Sequence, residues 1–180
     1  MKNIIIILSI SLLLYGCVVS QKETINRDIN LPQNVKHIYI PVFKTDMNVY
    51  EPNIPQIFTN ELITQFNLDG SLLVVSSREE ANAILEGKIK NYIRKAVDYD
   101  ENNLPVLYRI NMEAEITFID NSTGEKLWSE NEEKLFATTT YSERVPPIET
   151  EFIAQKRVIE ELAIKIVNRT VSGWSTSGKK

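Results

Sequence analysis

The stretch from Pro105 to Asp120 has the clearest alternation in the chain: Val106, Tyr108, Ile110, Met112, Ala114, Ile116 and Phe118 point one way, and Arg109, Asn111, Glu113, Glu115 and Thr117 the other. A period of two held this long predicts a strand with one covered and one solvated face. Ala83 to Lys95 reads as its partner, with Leu85, Gly87, Ile89 and Ile93 on the covered face and Glu86, Lys88, Lys90, Tyr92 and Arg94 on the other. Asn121-Ser122-Thr123-Gly124 is a hairpin turn, and a third strand runs from Glu125 to about Ala137, with Leu127 and Trp128 near its start. Two shorter apolar runs, His37 to Phe43 and Leu72 to Val75, read as buried strands. Pro41 has no N–H to give to a ladder, which places it at an edge or a bulge.

Two stretches carry helical spacing instead. Ile54, Ile57, Phe58, Leu62 and Phe66 form one stripe between Asn53 and Leu68, with Asn53 as N-cap and Asp69-Gly70 as the stop. Phe152, Ile159, Leu162, Ala163, Ile166 and Val167 form a second between Glu149 and Val171. Residues 76–81 read as a short helical turn or loop, and the Thr- and Pro-rich stretch from Ala137 to Pro147 as a loop. The order β-α-β-β-β-β-α predicts an α+β two-layer sandwich: a mainly antiparallel, mixed sheet of four or five strands with both amphipathic helices on one face.

The N-terminus breaks this pattern. Ile4 to Leu14 is an apolar run behind Lys2, and Leu14-Tyr15-Gly16-Cys17 closes it. Eleven helical residues reach about 16 Å, short of the roughly 30 Å of a bilayer core. The run therefore reads as a signal peptide over residues 1–16. Leu14, Gly16 and Cys17 resemble the lipobox of bacterial lipoproteins, although Tyr15 is bulkier than the usual small residue. Cys17 is then the lipidation site, acylated after cleavage, and residues 17–34 form the lipidated N-terminus and a polar tether. The absence of Asp after Cys17 favours the outer membrane by resemblance to the enterobacterial sorting rule. Residues 35–172 form the folded domain, and residues 173–180 a disordered tail.

Removing residues 1–16 takes away Lys2 and moves the formal charge from −4 to −5. The chain is mildly acidic without a basic block, which argues against nucleic acid as partner. Cys17 is the sole cysteine and His37 the sole histidine. The chain thus offers no disulfide, thiolate zinc site or cofactor motif, and His37 at a strand start reads as a hydrogen-bonded imidazole rather than a ligand. Asp98, Asp100 and Glu101 lack calcium-loop spacing and read as a solvated turn. A carboxylate-based hydrolase would have to use Glu113 and Glu115, about 7 Å apart along one strand face, an arrangement ordinary for a wet strand. The two glycosylation-type sequons, at Asn121 and Asn168, carry no weight in a bacterial lipoprotein. No catalytic residue and no metal ligand is assigned.

Val35 to Phe43, Asn60-Glu61-Leu62, Glu79 to Gly87, Tyr108-Arg109-Ile110, Thr123 to Trp128 and Ala137 to Tyr141 succeed one another behind the lipobox and ahead of the last helix. This order and spacing resembles the LptE family of lipopolysaccharide-assembly lipoproteins. The resemblance implies a non-enzymatic protein on the periplasmic side of the outer membrane that plugs the LptD β-barrel, helps it fold and contacts lipopolysaccharide. The strand at 38–43 with the helix and the Leu-Val-Val strand behind it also resembles periplasmic domains of curli-secretion and Tol-type proteins, which leaves another envelope complex as the alternative. The family supplies no ligand motif to carry over. From chemistry alone, phosphates call for Lys or Arg. Arg94 and Lys95 at the end of the first long strand, with Lys88 and Lys90 beside them, are the candidates for lipopolysaccharide, and Lys134 and Arg144 come after them; each taken singly reads more readily as a charge on a solvated face. Tyr92, Tyr99, Tyr141 and residues 138–147 are candidates for a partner surface.

Overall fold

The computed structural model describes residues 31–46, 49, 51–131 and 135–172. The expected signal peptide and lipidation site Cys17, most of the expected tether, Lys134 and the expected tail lie outside them. In order, the elements are β1 (His37–Tyr39), β2 (Lys44–Thr45), α1 (Ile54–Asp69), β3 (Leu73–Val75), a 3-10 turn (Arg78–Glu80), β4 (Ala83–Tyr99), β5 (Pro105–Asp120), β6 (Lys126–Glu130), β7 (Phe136–Tyr141) and α2 (Glu151–Ser172). The strands make one mixed sheet in the order β3-β1-β4-β5-β6, with β2 beside β4 and β7 beside β5. β1 runs parallel to β3 and β4, while β4, β5, β6 and β7 pair antiparallel. This is the expected α+β fold, built from seven strands because two expected strands are broken.

The first break is at Pro41. Tyr39 pairs with Ile84 and Lys44 with Lys88, so β1 and β2 share one edge of β4 with one residue in excess between them. The proline sits in that bulge, where its missing N–H costs nothing. The second break divides 125–137: β6 pairs with Ile116–Ile119 and β7 with Tyr108–Glu113, so the two strands lie end to end along β5. β7 also extends the sheet through Thr138–Tyr141, residues that read as loop. Their β-branched side chains fit a pleat, with Ala137 and Tyr141 buried.

The core lies between the two helices and one sheet face. Phe58, Leu62 and Phe66 of α1 and Val158, Leu162 and Ile166 of α2 close over Ile38, Leu85, Ile89, Ile110, Met112, Ile116 and Phe118. Each such buried side chain contributes about 1.5–3 kcal/mol through removal from water. Phe43 meets Phe58 edge-on at 5.0 Å. Thr59 is buried as well, donating to Pro55 O at 2.7 Å and accepting from Phe43 N at 3.0 Å, so its hydroxyl ties α1 to the β1–β2 bulge. Gly70 ends α1 in the left-handed region at φ 72° and donates to Phe66 O.

Several positions differ from the pattern reading. Asn53 precedes α1 but makes no side-chain capping bond. Ile57 and Leu73 are exposed, and Phe152 is 71% exposed because core packing on α2 begins at Ala154. The largest difference is in β4. A register shift between Ile89 and Asn91 makes Lys90 a bulge, so the residues beyond it change sides. Tyr92 then faces the core and is 7% exposed, whereas Ile93 faces solvent at 44%.

Candidate functional site

The candidate cations fall in separate places. Lys88 and Lys90 lie 3.3 and 3.1 Å from Asp46, and Lys90 lies 3.7 Å from Glu115. They form a local ion network across β2, β4 and β5 on the solvated face, of the partly exposed kind that contributes little to stability. Glu113 and Glu115 share that face, as the alternation predicts, and Glu115 is engaged by Lys90.

Beyond the Lys90 bulge, Arg94 turns to the helix side. Its guanidinium lies 4.0 Å above the Tyr108 ring, and Tyr108 stacks on Tyr141 with centroids 5.3 Å apart. Arg94 Nε donates to Tyr141 Oη and sits 2.9 Å from Glu151 Oε2 in the first turn of α2, where an acid complements the helix dipole. Burial disfavours the charge of Arg94, but Tyr141 and Glu151 outweigh it and hold the group above its ordinary value. Burial pushes the Tyr141 phenol up, against the Arg94 bond. It also pushes Tyr92 up, against the 3.0 Å hydrogen bond that Gln155 Nε2 donates to its hydroxyl. Tyr92 and Tyr141 are thus interior groups that dock the outer half of the β4–β5 hairpin onto α2. Of the three tyrosines expected on a partner surface, only Tyr99 is exposed.

The hairpin tip is shaped by its own acids. Asp100 accepts from the N–H groups of Asn102 and Leu104 at 3.0 and 2.8 Å, and Asn103 adopts φ 62°. Asp98 accepts from Tyr99 N. Arg144, in the loop between β7 and α2, lies 3.3 Å from Asp100 and fastens that loop to the tip. Between them runs a groove of about 580 Å³, lined by Val106, Leu107, Tyr141, Val145, Pro146 and Pro147. Tyr99, Leu104, Val145, Ile148 and Phe152 are exposed at this end of the molecule. Alongside, Arg157 NH2 donates to Thr140 O and Lys165 Nζ to Phe136 O, so two α2 side chains cover the outer edge of β7.

Lys95 stands apart. The ladder places it on the solvated face directly opposite Arg109. From Arg109 a second groove, about 560 Å³, runs along β5 and β7 past Asn111, Thr138 and Thr140 to Glu113 and Phe136. Sequence reasoning passed over Arg109 and Asn111, and took the threonines as part of a loop offered to a partner. Their signal was the polar half of the β5 alternation, and it lacked the β7 strand that completes the surface.

The architecture and surface can be set against known proteins. The sequence profile of the LptE family, described as lipopolysaccharide-assembly, matches residues 35–170. The chain belongs to the LptE family. Those residues span all seven strands, α1 and all but the last two residues of α2. The LptE family comprises non-enzymatic lipoproteins of lipopolysaccharide assembly. No curated protein matches the chain. Among solved structures, the PelC dodecamer from Paraburkholderia phytofirmans has a similar fold, with TM-score 0.50 and 12% identity over 76% of this chain and 92% of that one. A candidate lipoprotein from Caulobacter crescentus CB15 also gives TM-score 0.50, with 16% identity over 79% and 93% of the two chains. At these identities the likeness is one of fold. Among the described residues no helix is long and apolar enough to cross a membrane.

Proposed function

We propose that this LptE-family protein is anchored through Cys17 on the periplasmic side of the outer membrane and assists lipopolysaccharide assembly as the partner of an LptD-like β-barrel. The family match over residues 35–170 carries the reading. The geometry agrees with it. The chain enters the domain at β1, where Asn82 Oδ1 accepts from the N–H groups of Lys36 and His37, just before β4 begins. The hairpin tip lies at the far end of β4, about 55 Å away by strand rise. A tether of some 15 residues reaches on the order of 50 Å, so the domain can engage a barrel while its first residue stays in the bilayer. The apolar side chains at the hairpin end, Tyr99, Leu104, Val145, Ile148 and Phe152, are the surface offered to that partner. Among the candidate cations in the described residues, Lys88, Lys90, Arg94 and Arg144 are engaged by carboxylates, which leaves Lys95 best placed of these to meet lipopolysaccharide.

The fold shared with a dodecameric protein favours a second reading, a periplasm-facing subunit of another envelope or secretion complex. Depletion separates the two. Under the first reading, cells lacking the protein lose lipopolysaccharide from the outer leaflet. Normal surface lipopolysaccharide after depletion would favour the second.

A further inference from the structure

We propose that the open edge of β5 at Pro105, Val106 and Leu107 accepts an extended peptide strand carrying alternating apolar and basic side chains. β4 pairs with Pro105 and Leu107 on one side, and the register steps from Asp98–Leu107 to Tyr99–Pro105, so Val106 is a bulged residue with no β4 residue of its own. On the other side β7 stops at Tyr141, opposite Tyr108, and the chain turns away. There Ser142 bridges Ile148, Glu149 N donates to Ser142 O, and Ser142 Oγ accepts from Arg144 N and Val145 N. The loop thus bonds to itself, and among the described residues no strand continues the ladder past Tyr108 on that side. The groove of about 580 Å³ lies between Val106 and Leu107 and the loop residues Val145, Pro146 and Pro147, where a continued β7 would run. By contrast, the outer edge of β7 is covered, by Arg157 at Thr140 O and Lys165 at Phe136 O.

The floor of this groove decides what fills it. An apolar chain laid along a strand edge takes water from backbone N–H and C=O groups without replacing their hydrogen bonds, at about 1–3 kcal/mol for each group left unpaired. A second backbone replaces them, as in strand addition to a sheet edge. The walls decide the side chains. Leu104, Val145 and Ile148 are exposed at this end and offer apolar contact. The acids around them outnumber their cations: Arg144 meets Asp100 and Arg157 meets Glu149, whereas Asp98, Glu101 and Glu143 are exposed and, among the described residues, have no cation within ion-pair distance. A strand that alternates apolar with basic side chains complements both features. The site stands on this geometry, and the barrel reading enters only as one source of such a strand.

The test is fluorescence anisotropy of the full chain in non-ionic detergent with three labelled heptapeptides: one alternating lysine with valine, the same sequence N-methylated along its backbone, and one alternating glutamate with valine. The first is expected to bind, and each of the others to bind at least about tenfold more weakly. Val145→Lys changes an exposed groove residue and should weaken the first peptide by a similar factor while the urea midpoint stays at the parent value. A Glu101→Gln/Glu143→Gln double variant should weaken it about threefold at low ionic strength, a difference that salt removes. Failure of the lysine–valine peptide to bind overturns the site. Equal affinity for the N-methylated peptide overturns strand addition, and equal affinity for the glutamate peptide overturns the basic occupant. Parental affinity in Val145→Lys removes the site from this groove. Barrel co-purification by the parent protein is scored separately: an unbound lysine–valine peptide together with a recovered barrel removes the strand site and leaves the assembly reading standing.

Discussion

The Phe43 ring lies directly against the backbone of Gly87, so close that a Cβ at position 87 would overlap it. Phe43 closes the bulge between β1 and β2, and Gly87 is the one inward position of β4 without a side chain between Leu85 and Ile89. Gly87→Ala must therefore displace Phe43, which also packs on Phe58. The expected cost is about 1–3 kcal/mol of overpacking, read as a lower urea midpoint with unchanged slope. An unaltered midpoint would show that the ring has somewhere else to go.

The bulge at Lys90 makes a sharper prediction, because a regular strand gives the opposite answer. With Tyr92 inside and Ile93 outside, Tyr92→Ala should cost about 3–5 kcal/mol, and Ile93→Ser should stay within about 0.5 kcal/mol of the parent. The reverse ranking would restore the uninterrupted alternation and remove the bulge.

These two positions also show where the sequence was legible. β5 could be read residue by residue because nothing interrupts its alternation from Tyr108 to Phe118. β4 could be read only as far as Ile89, since the inserted Lys90 adds no residue type that marks a bulge and Asn91-Tyr92-Ile93-Arg94 still alternates, on the wrong phase. β7 was hidden by composition: three threonines before a proline pair look like a loop until β5 supplies the partner that orders them. Phe152 lies in line with Ile159 on the helical stripe, yet the core does not extend that far. The candidate surface suffered most. Which cations meet carboxylates depends on contacts across long sequence separations, such as Arg94 with Glu151 and Arg144 with Asp100.

Arg94 is predicted to act on stability rather than on ligand. Arg94→Gln removes the contact with Tyr108 and the bonds to Tyr141 and Glu151, and should cost about 1–2 kcal/mol. Hydrogen exchange should accelerate at 94–108 and in the first turns of α2, while affinity for lipopolysaccharide stays at the parent value. A variant of parental stability that loses lipopolysaccharide binding would return Arg94 to the ligand candidates.

Acid should act on the β5–β6 turn. Asp120 accepts from the Ser122 hydroxyl and from the N–H groups of Ser122 and Thr123, at 2.6, 2.8 and 3.1 Å, and these bonds hold its carboxyl below the ordinary range. A depressed carboxyl contributes stability that is complete above its unfolded value, about 3.9, and is lost as pH falls through the lower folded value. Asp120→Asn keeps an acceptor but no titration, so its stability should fall less steeply than the parent's below about pH 4. Parallel acid curves would exclude Asp120 as a contributor.

Anchor and fold are expected to separate. Cys17→Ala should release the protein from the membrane fraction while its circular dichroism and unfolding midpoint match the parent, since the core is built from residues of the domain itself. An unfolded Cys17→Ala protein would make the anchor part of the fold.

Partnership with a barrel in the outer membrane is the central claim. It is tested most directly by purifying the full-length protein from outer membranes in mild detergent and identifying the co-purifying chains by mass spectrometry. The predicted result is a large LptD-like β-barrel recovered in near-equal amount. Recovery of the protein alone, or only as an oligomer of itself, would contradict it.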